Sequence, residues 1–215
     1  MILRPLFAIL LLAAAPATTT TSPTQADAST PKGVLHLLAV ALASGDRQAI
    51  LDCLQADTEQ DKQLAGATAD LAAATAALRR TAVQTFGDSA ATPLGADLTA
   101  SPEALKRIDA AHVEMDHDKA TVRPSDSDGP PLILIEHDGA WKLPVAELSK
   151  DVESADVQKS IDAMNEQTRQ MKAIAADIGA GKFKSAVDAR QELDQRILKA
   201  SMPKGKTGDA DRKPQ

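Results

Sequence analysis

The sequence predicts an α+β fold: N-terminal helices packed on a four-stranded antiparallel sheet, followed by a C-terminal helical pair. Three observations predict it. Apolar residues recur at helical spacing between Val34 and Phe86, and again between Val157 and Ile197. The period shortens to two between Ala111 and Leu143. Cap and turn residues separate the two regimes. The 215 residues are 43% hydrophobic and 25% charged, enough apolar surface for one core and too much for a disordered chain. A single Cys excludes a disulfide scaffold. An aromatic share of 2%, with no Tyr, excludes tyrosine chemistry and argues against base stacking or an aromatic cage.

Residues 1–17 read as a secretory signal: Arg4, the apolar run from Leu6 to Ala15, then Ala15-Pro16-Ala17 as a cleavage site. That run is too short to span a membrane, which needs about 20 residues. Lipidation would need a Cys directly after the signal, and the Cys present is Cys53. The expectation is export to the periplasm or extracellular space of a bacterium, not as a lipoprotein and with no membrane association after cleavage. Residues 18–30 read as a flexible leader. Loss of Arg4 takes the formal charge from -6 to -7, which disfavours nucleic acid as a partner.

An α+β domain is expected over 31–148. Thr30 caps a helix with Pro31 at its first position, and Gly45 ends it. Asp46 caps a second helix carrying Ile50, Leu51, Cys53 and Leu54, with Cys53 read as a buried inert thiol. Thr58 and Asp61 form a capping box for a long helix that stops at Gly87. In it Leu64, Leu71 and Leu78 repeat every seven residues. Residues 88–100 read as a loop, and Ser101-Pro102 opens a short helix.

Ala111, Val113 and Met115 then alternate with polar residues, and His117-Asp118 makes a tight turn. Ala120 and Val122 continue the alternation. Leu132 to Ile135 is a continuous apolar run, which suggests a more central strand, and Asp138-Gly139 is a hairpin turn leading into Trp141 and Leu143. A C-terminal helical pair is expected over 149–200. Val157, Ile161, Met164, Thr168, Met171, Ala175 and Ile178 form one stripe. After Gly179 and Gly181, Phe183, Val187, Leu193 and Ile197 face inward. Residues 201–215 read as a disordered basic tail.

Two stretches carry a resemblance: Leu42-Ala43-Ser44-Gly45-Asp46 with Ala49-Ile50, and 135–143 around Asp138-Gly139-Ala140-Trp141-Lys142-Leu143. They are similar to the end of the first helix and to the closing hairpin in exported members of the nuclear transport factor 2-like (cystatin-like) superfamily. The resemblance covers about 31–148 and implies a cone-shaped fold. It does not extend to the helices beyond 149. The superfamily includes isomerases, hydrolases and cyclases as well as non-catalytic binding modules. Its isomerase constellation needs a Tyr that this chain lacks. Its epoxide-hydrolase set needs an inward Arg, whereas Arg123 falls on the polar face with His112 and Glu114. No catalytic residue carries over.

Candidate sites are few. Trp141 either anchors the core, the favoured reading, or lines a ligand pocket with Met115 and Leu143. His117, Asp118, His137 and Asp138 fall in two turns at one end of the meander. They offer donors for a zinc-like ion, but at about 10 Å separation and without diagnostic spacing. The plain alternative is that they are ordinary turn residues, and no metal or other cofactor is expected. His36 reads as a helix-flank residue satisfied by solvent or backbone. The leading functional expectation is an exported, non-catalytic binding or interaction module for an unidentified protein or small molecule. Two alternatives stay open: a hydrolase or isomerase using carboxylates in a cone-shaped pocket, and a homo-oligomeric envelope protein with the 157–178 stripe as its seam. A homodimer is compatible with all of these.

Overall fold

The structure is a computed structural model that describes residues 27–91, 93–94, 101–125, 130–149 and 153–201. The expected signal, the leader up to residue 26 and the basic tail from residue 202 lie outside the described residues. The described chain is α+β. Its elements in order are α1 (Pro31–Ser44), α2 (Arg47–Asp52), β1 (Leu54–Gln55), α3 (Glu59–Phe86), a 3-10 turn (Asp88–Ala90) and α4 (Pro102–Ala110). There follow β2 (His112–Asp116), β3 (Lys119–Arg123), β4 (Leu132–His137), β5 (Ala140–Pro144), α5 (Val145–Ser149), α6 (Ser154–Gly179) and α7 (Ala186–Ser201).

The caps form as their residue types dictate. Thr30 Oγ1 accepts from Gly33 N–H at 3.0 Å, and Asp46 Oδ1 accepts from Ala49 N–H at 3.1 Å. Thr58 and Asp61 complete a reciprocal capping box, which accounts for a buried carboxylate at Asp61. Gly45 closes α1 at φ 70°, where a Cβ would meet Ala76 Cβ at 2.6 Å. Glycine is therefore fixed there twice, by handedness and by the close approach of α3.

The sheet is mixed and five-stranded, in the order β1-β5-β4-β3-β2. The four predicted strands form the antiparallel meander, and β4 is the middle strand of the five. The fifth strand is a correction. Leu54 leaves the second helix, which ends at Asp52, and β1 pairs in parallel with Leu143 and Pro144. The reason is backbone satisfaction: Leu143 N–H, on the outer side of β5, donates to Cys53 O at 2.9 Å.

Parity explains which groups face outward. Asp116 and Lys119 flank a two-residue turn, so they form a hydrogen-bonded pair. Alternation then directs Ala120 to β4 and Ile135 to β5. It leaves the N–H groups of Trp141 and Leu143 pointing away from the meander. The bonds agree: Glu136 N–H donates to Asp118 O at 2.7 Å and Trp141 N–H to Ala28 O at 2.7 Å. The leader is thus anchored from Asp27 onward. Asp27 Oδ1 accepts from Ser29 N–H at 3.0 Å, and Asp27 O sits so close to Gly33 that a Cβ there would lie 1.8 Å from it.

One face of the sheet is filled. Ala120, Val122, Leu134, Trp141 and Leu143 are buried in one cluster with residues of α1, α2, the first half of α3 and the start of α6. A second cluster joins the far half of α3 (Leu78, Ala82), the far half of α6 (Ile174, Ile178) and α7. The 157–178 stripe packs inside the domain against α3. Gln60 meets Ser154, Thr68 Oγ1 lies 3.9 Å from Met164 Sδ, and Thr75 Oγ1 donates to Met171 Sδ at 3.2 Å. The residue numbers rise together, so α3 and α6 run parallel.

Three further readings change. A 3-10 turn interrupts the expected 88–100 loop, with Ala90 buried in the second cluster. Helix α5 follows β5 directly, with Val145 buried. Val187, expected inward, is 52% exposed. α7 begins only at Ala186, where Ser185 Oγ accepts from Asp188 N–H at 3.2 Å. The buried stripe becomes Ala186, Ala189 and Leu193, with Ile197 partly buried.

Candidate functional site

The pocket expected around Trp141, Met115 and Leu143 does not assemble. Trp141 and Leu143 are 3% and 2% exposed, in the core, whereas Met115 is 57% exposed. Met115 does lie on the same face: it pairs with Ala120, which pairs with Leu134. The strand order nevertheless puts it three strands from β5, about 14 Å away. Period-two alternation gives the face of a strand residue but not its distance from the sheet edge.

The His117-Asp118 and His137-Asp138 turns lie at one end of the meander, as the connectivity requires. Each imidazole engages its own neighbour. His117 Nδ1 is 2.9 Å from Asp116, and His137 Nε2 is 3.4 Å from Asp138. Among the described residues no three His, Cys, Asp or Glu side chains converge as a metal site. His117 and Asp138 both occupy left-handed turn positions, at φ 55° and 52°. His36 finds a side-chain partner instead of backbone, with Nε2 2.7 Å from Asp109 Oδ1 on α4.

The structure does bring together a set that no motif announces. An open cleft of about 460 Å³ lies between α2, β1, the start of α3 and the β4–β5 hairpin. Arg47, Lys62, Lys142 and His137 line it, with Gln55 and Asp57, over an apolar floor that includes Leu51, Leu54 and Ala65. Arg47 is held by Asp70 at 2.6 Å. Lys62 and Lys142 form no ion pair among the described residues. Asp57 accepts from Gln55 Nε2 at 3.2 Å, and Gln55 Oε1 is buried without a donor. The cleft is therefore locally cationic on an acidic chain, and it holds one unfilled acceptor.

Cys53, next to Leu54 in the chain, is a free, buried thiol. Burial pushes its thiol up to about 11, and the Asp52 carboxylate acts in the same direction, against a smaller opposing effect of Lys142. A thiol with so little thiolate at neutral pH is unreactive. The signal for the cleft is present only as isolated cations: Arg47 and Lys62 lie on successive helices, and Lys142 joins them from a strand 80 residues beyond Lys62. Among the described residues no helix is long and apolar enough to cross a membrane. No family model, curated protein or solved structure matches the chain, so the reading of its function rests on these residues and their geometry.

Proposed function

We propose that the protein is an exported, non-catalytic binding module that takes an acidic peptide segment of a partner protein in the cleft beside β1. The observation that carries this reading is the pair Lys62 and Lys142, two ammonium groups in one cleft without ion-pair partners among the described residues. Partner carboxylates would answer those charges. A peptide N–H would supply the donor that Gln55 Oε1 lacks. The filled inner face of the sheet favours surface recognition over an enclosed reaction chamber. The order of helix, helix, long helix and meander supports kinship with the cone-shaped nuclear transport factor 2-like folds.

The buried carboxylate of Asp61 is engaged in the cap of α3, which supports the binding reading over a catalytic one. The structural-oligomer alternative loses its seam, because the 157–178 stripe is covered by α3. The test is fluorescence anisotropy with labelled Glu-rich and Lys-rich peptides. The expected result is salt-sensitive binding of the Glu-rich peptide alone, abolished by combining Lys62→Glu with Lys142→Glu. Equal binding of both peptides, or turnover of an ester or epoxide lost on one polar substitution, overturns the reading.

A further inference from the structure

We infer that the protein pairs with a second copy of itself through the free edge of β2, as a two-fold antiparallel strand pair centred on Glu114. The parity that places His112, Glu114 and Asp116 in hydrogen-bonded pairs with β3 turns the N–H and C=O groups of Val113 and Met115 outward. Among the described residues no bond reaches those groups. The strand is short and carries Glu114 and Asp116, but other guards against edge pairing are missing from it. It has no Lys, no Pro and no bulge, since its register with β3 runs unbroken from His112 to Asp116. Its exposed apolar side chain, Met115, stands at that edge.

The strand is complementary to itself in one register. With the axis at Glu114, Val113 of each copy lies opposite Met115 of the other, and all four outward N–H groups find carbonyls. The same operation covers both Met115 side chains with Val113 and sets His112 opposite Asp116 twice. One like-charge opposition remains, Glu114 against its own copy. It is tempered by Arg123 at 3.9 Å and His112 at 3.7 Å in each chain. A two-fold axis at Val113 instead would call on Ala111 N–H, which already donates to Ile108 O at 3.2 Å. The Glu114 register leaves Ala111 with α4 and uses strand residues alone, whereas an axis at Met115 would call on His117 in the turn, at φ 55°.

Light scattering of the full chain at a low and a high concentration, with amide exchange at both, tests the pairing. A dimer is expected at the higher concentration, with slowed exchange at Val113 and Met115. Val113→Pro removes an outward N–H, and with it the Val113 side chain that packs at the margin of the core, and is expected to give a monomer. Met115→Lys, which touches no ladder bond, is expected to do the same and stands in if the proline variant does not fold. Glu114→Gln relieves the axial opposition and is expected to tighten the dimer about fivefold. A monomer at every concentration overturns the inference. So does a dimer whose Val113 and Met115 amides exchange as fast as in the monomer, or a weakening by Glu114→Gln.

Discussion

The two edges of the antiparallel meander, β5 and β2, are built from the same backbone chemistry and finished in opposite ways. At β5 the outward N–H groups of Trp141 and Leu143 are each given a carbonyl, from Ala28 and from Cys53, by two segments distant from each other in sequence. At β2 the corresponding groups of Val113 and Met115 make no hydrogen bond among the described residues. Both edges hold apolar residues on the same face, yet Leu143 is 2% exposed and Met115 57%. The difference teaches that the inner face does not bury a residue by itself. Val113, on the same strand and face as Met115, still packs against the core, so exposure grows toward the open end of β2.

The sharpest way to break this comparison is a pair of truncations on that shared face. Leu143→Ala is expected to cost about 2–5 kcal/mol of stability, because it opens a cavity in the main core. Met115→Ala is expected to stay within about 0.5 kcal/mol, as an exposed position. Urea denaturation of both variants at low concentration checks this, and equal costs would remove the distinction between the edges.

Next in size is Gly33→Ala. Its Cβ would lie 1.8 Å from Asp27 O, so the leader turn must shift away from the closed edge. A loss of about 1–3 kcal/mol is expected from such overpacking, with faster amide exchange at Trp141 and none of that change at Val122. A change confined to α1 would show that Ala28 is not held through this contact.

Two pH effects follow, both at the closed edge. Cys53 holds its proton more tightly when folded, its thiol being pushed up to about 11 from 9.0. Its contribution is therefore complete below the unfolded value and is lost as pH rises through the folded one, between about 9 and 11. Thiol-reagent uptake should accelerate in that window more steeply than unfolded-chain reactivity does. Asp27 behaves oppositely. Hydrogen bonds from the Ser29 backbone, then from its hydroxyl, hold its carboxyl below 3.8. The contribution of Asp27 is present above that value and lost as pH falls through the lower folded value. This smallest effect is read as faster Trp141 amide exchange in acid, removed by Asp27→Ala.

Much of the fold was legible because its determinants are local. Thr30, Asp46, Thr58 and Ser101 each cap a helix through a bond to a residue three positions on. Asp138-Gly139 makes its hairpin with both residues at positive φ. What escaped was long-range. Leu54 carries the same apolar signal at the end of a helix as in a two-residue strand, and only the need of Leu143 N–H decides between them. Ala28 looked like leader because nothing in Asp-Ala-Ser-Thr records a partner at Trp141. The candidate site was less legible still. Trp141 and Leu143 were rightly placed on one face, but the cleft depends on where Arg47, Lys62 and Lys142 converge, and a single chain's spacing carries no such information.

The parallel run of α3 and α6 bears on the order in which the molecule acquires its shape. Thr68 and Thr75 meet Met164 and Met171 across a constant separation of 96 residues, with the whole meander between them. A chain emerging from its N-terminus completes α3 long before its cover exists. The Leu64 and Leu78 face of α3 must wait, exposed, while α4, the sheet and α5 are made. Such a topology folds slowly, because loop closure precedes the contacts that reward it. During that interval the bare helix face is the surface most open to capture by a chaperone or to aggregation.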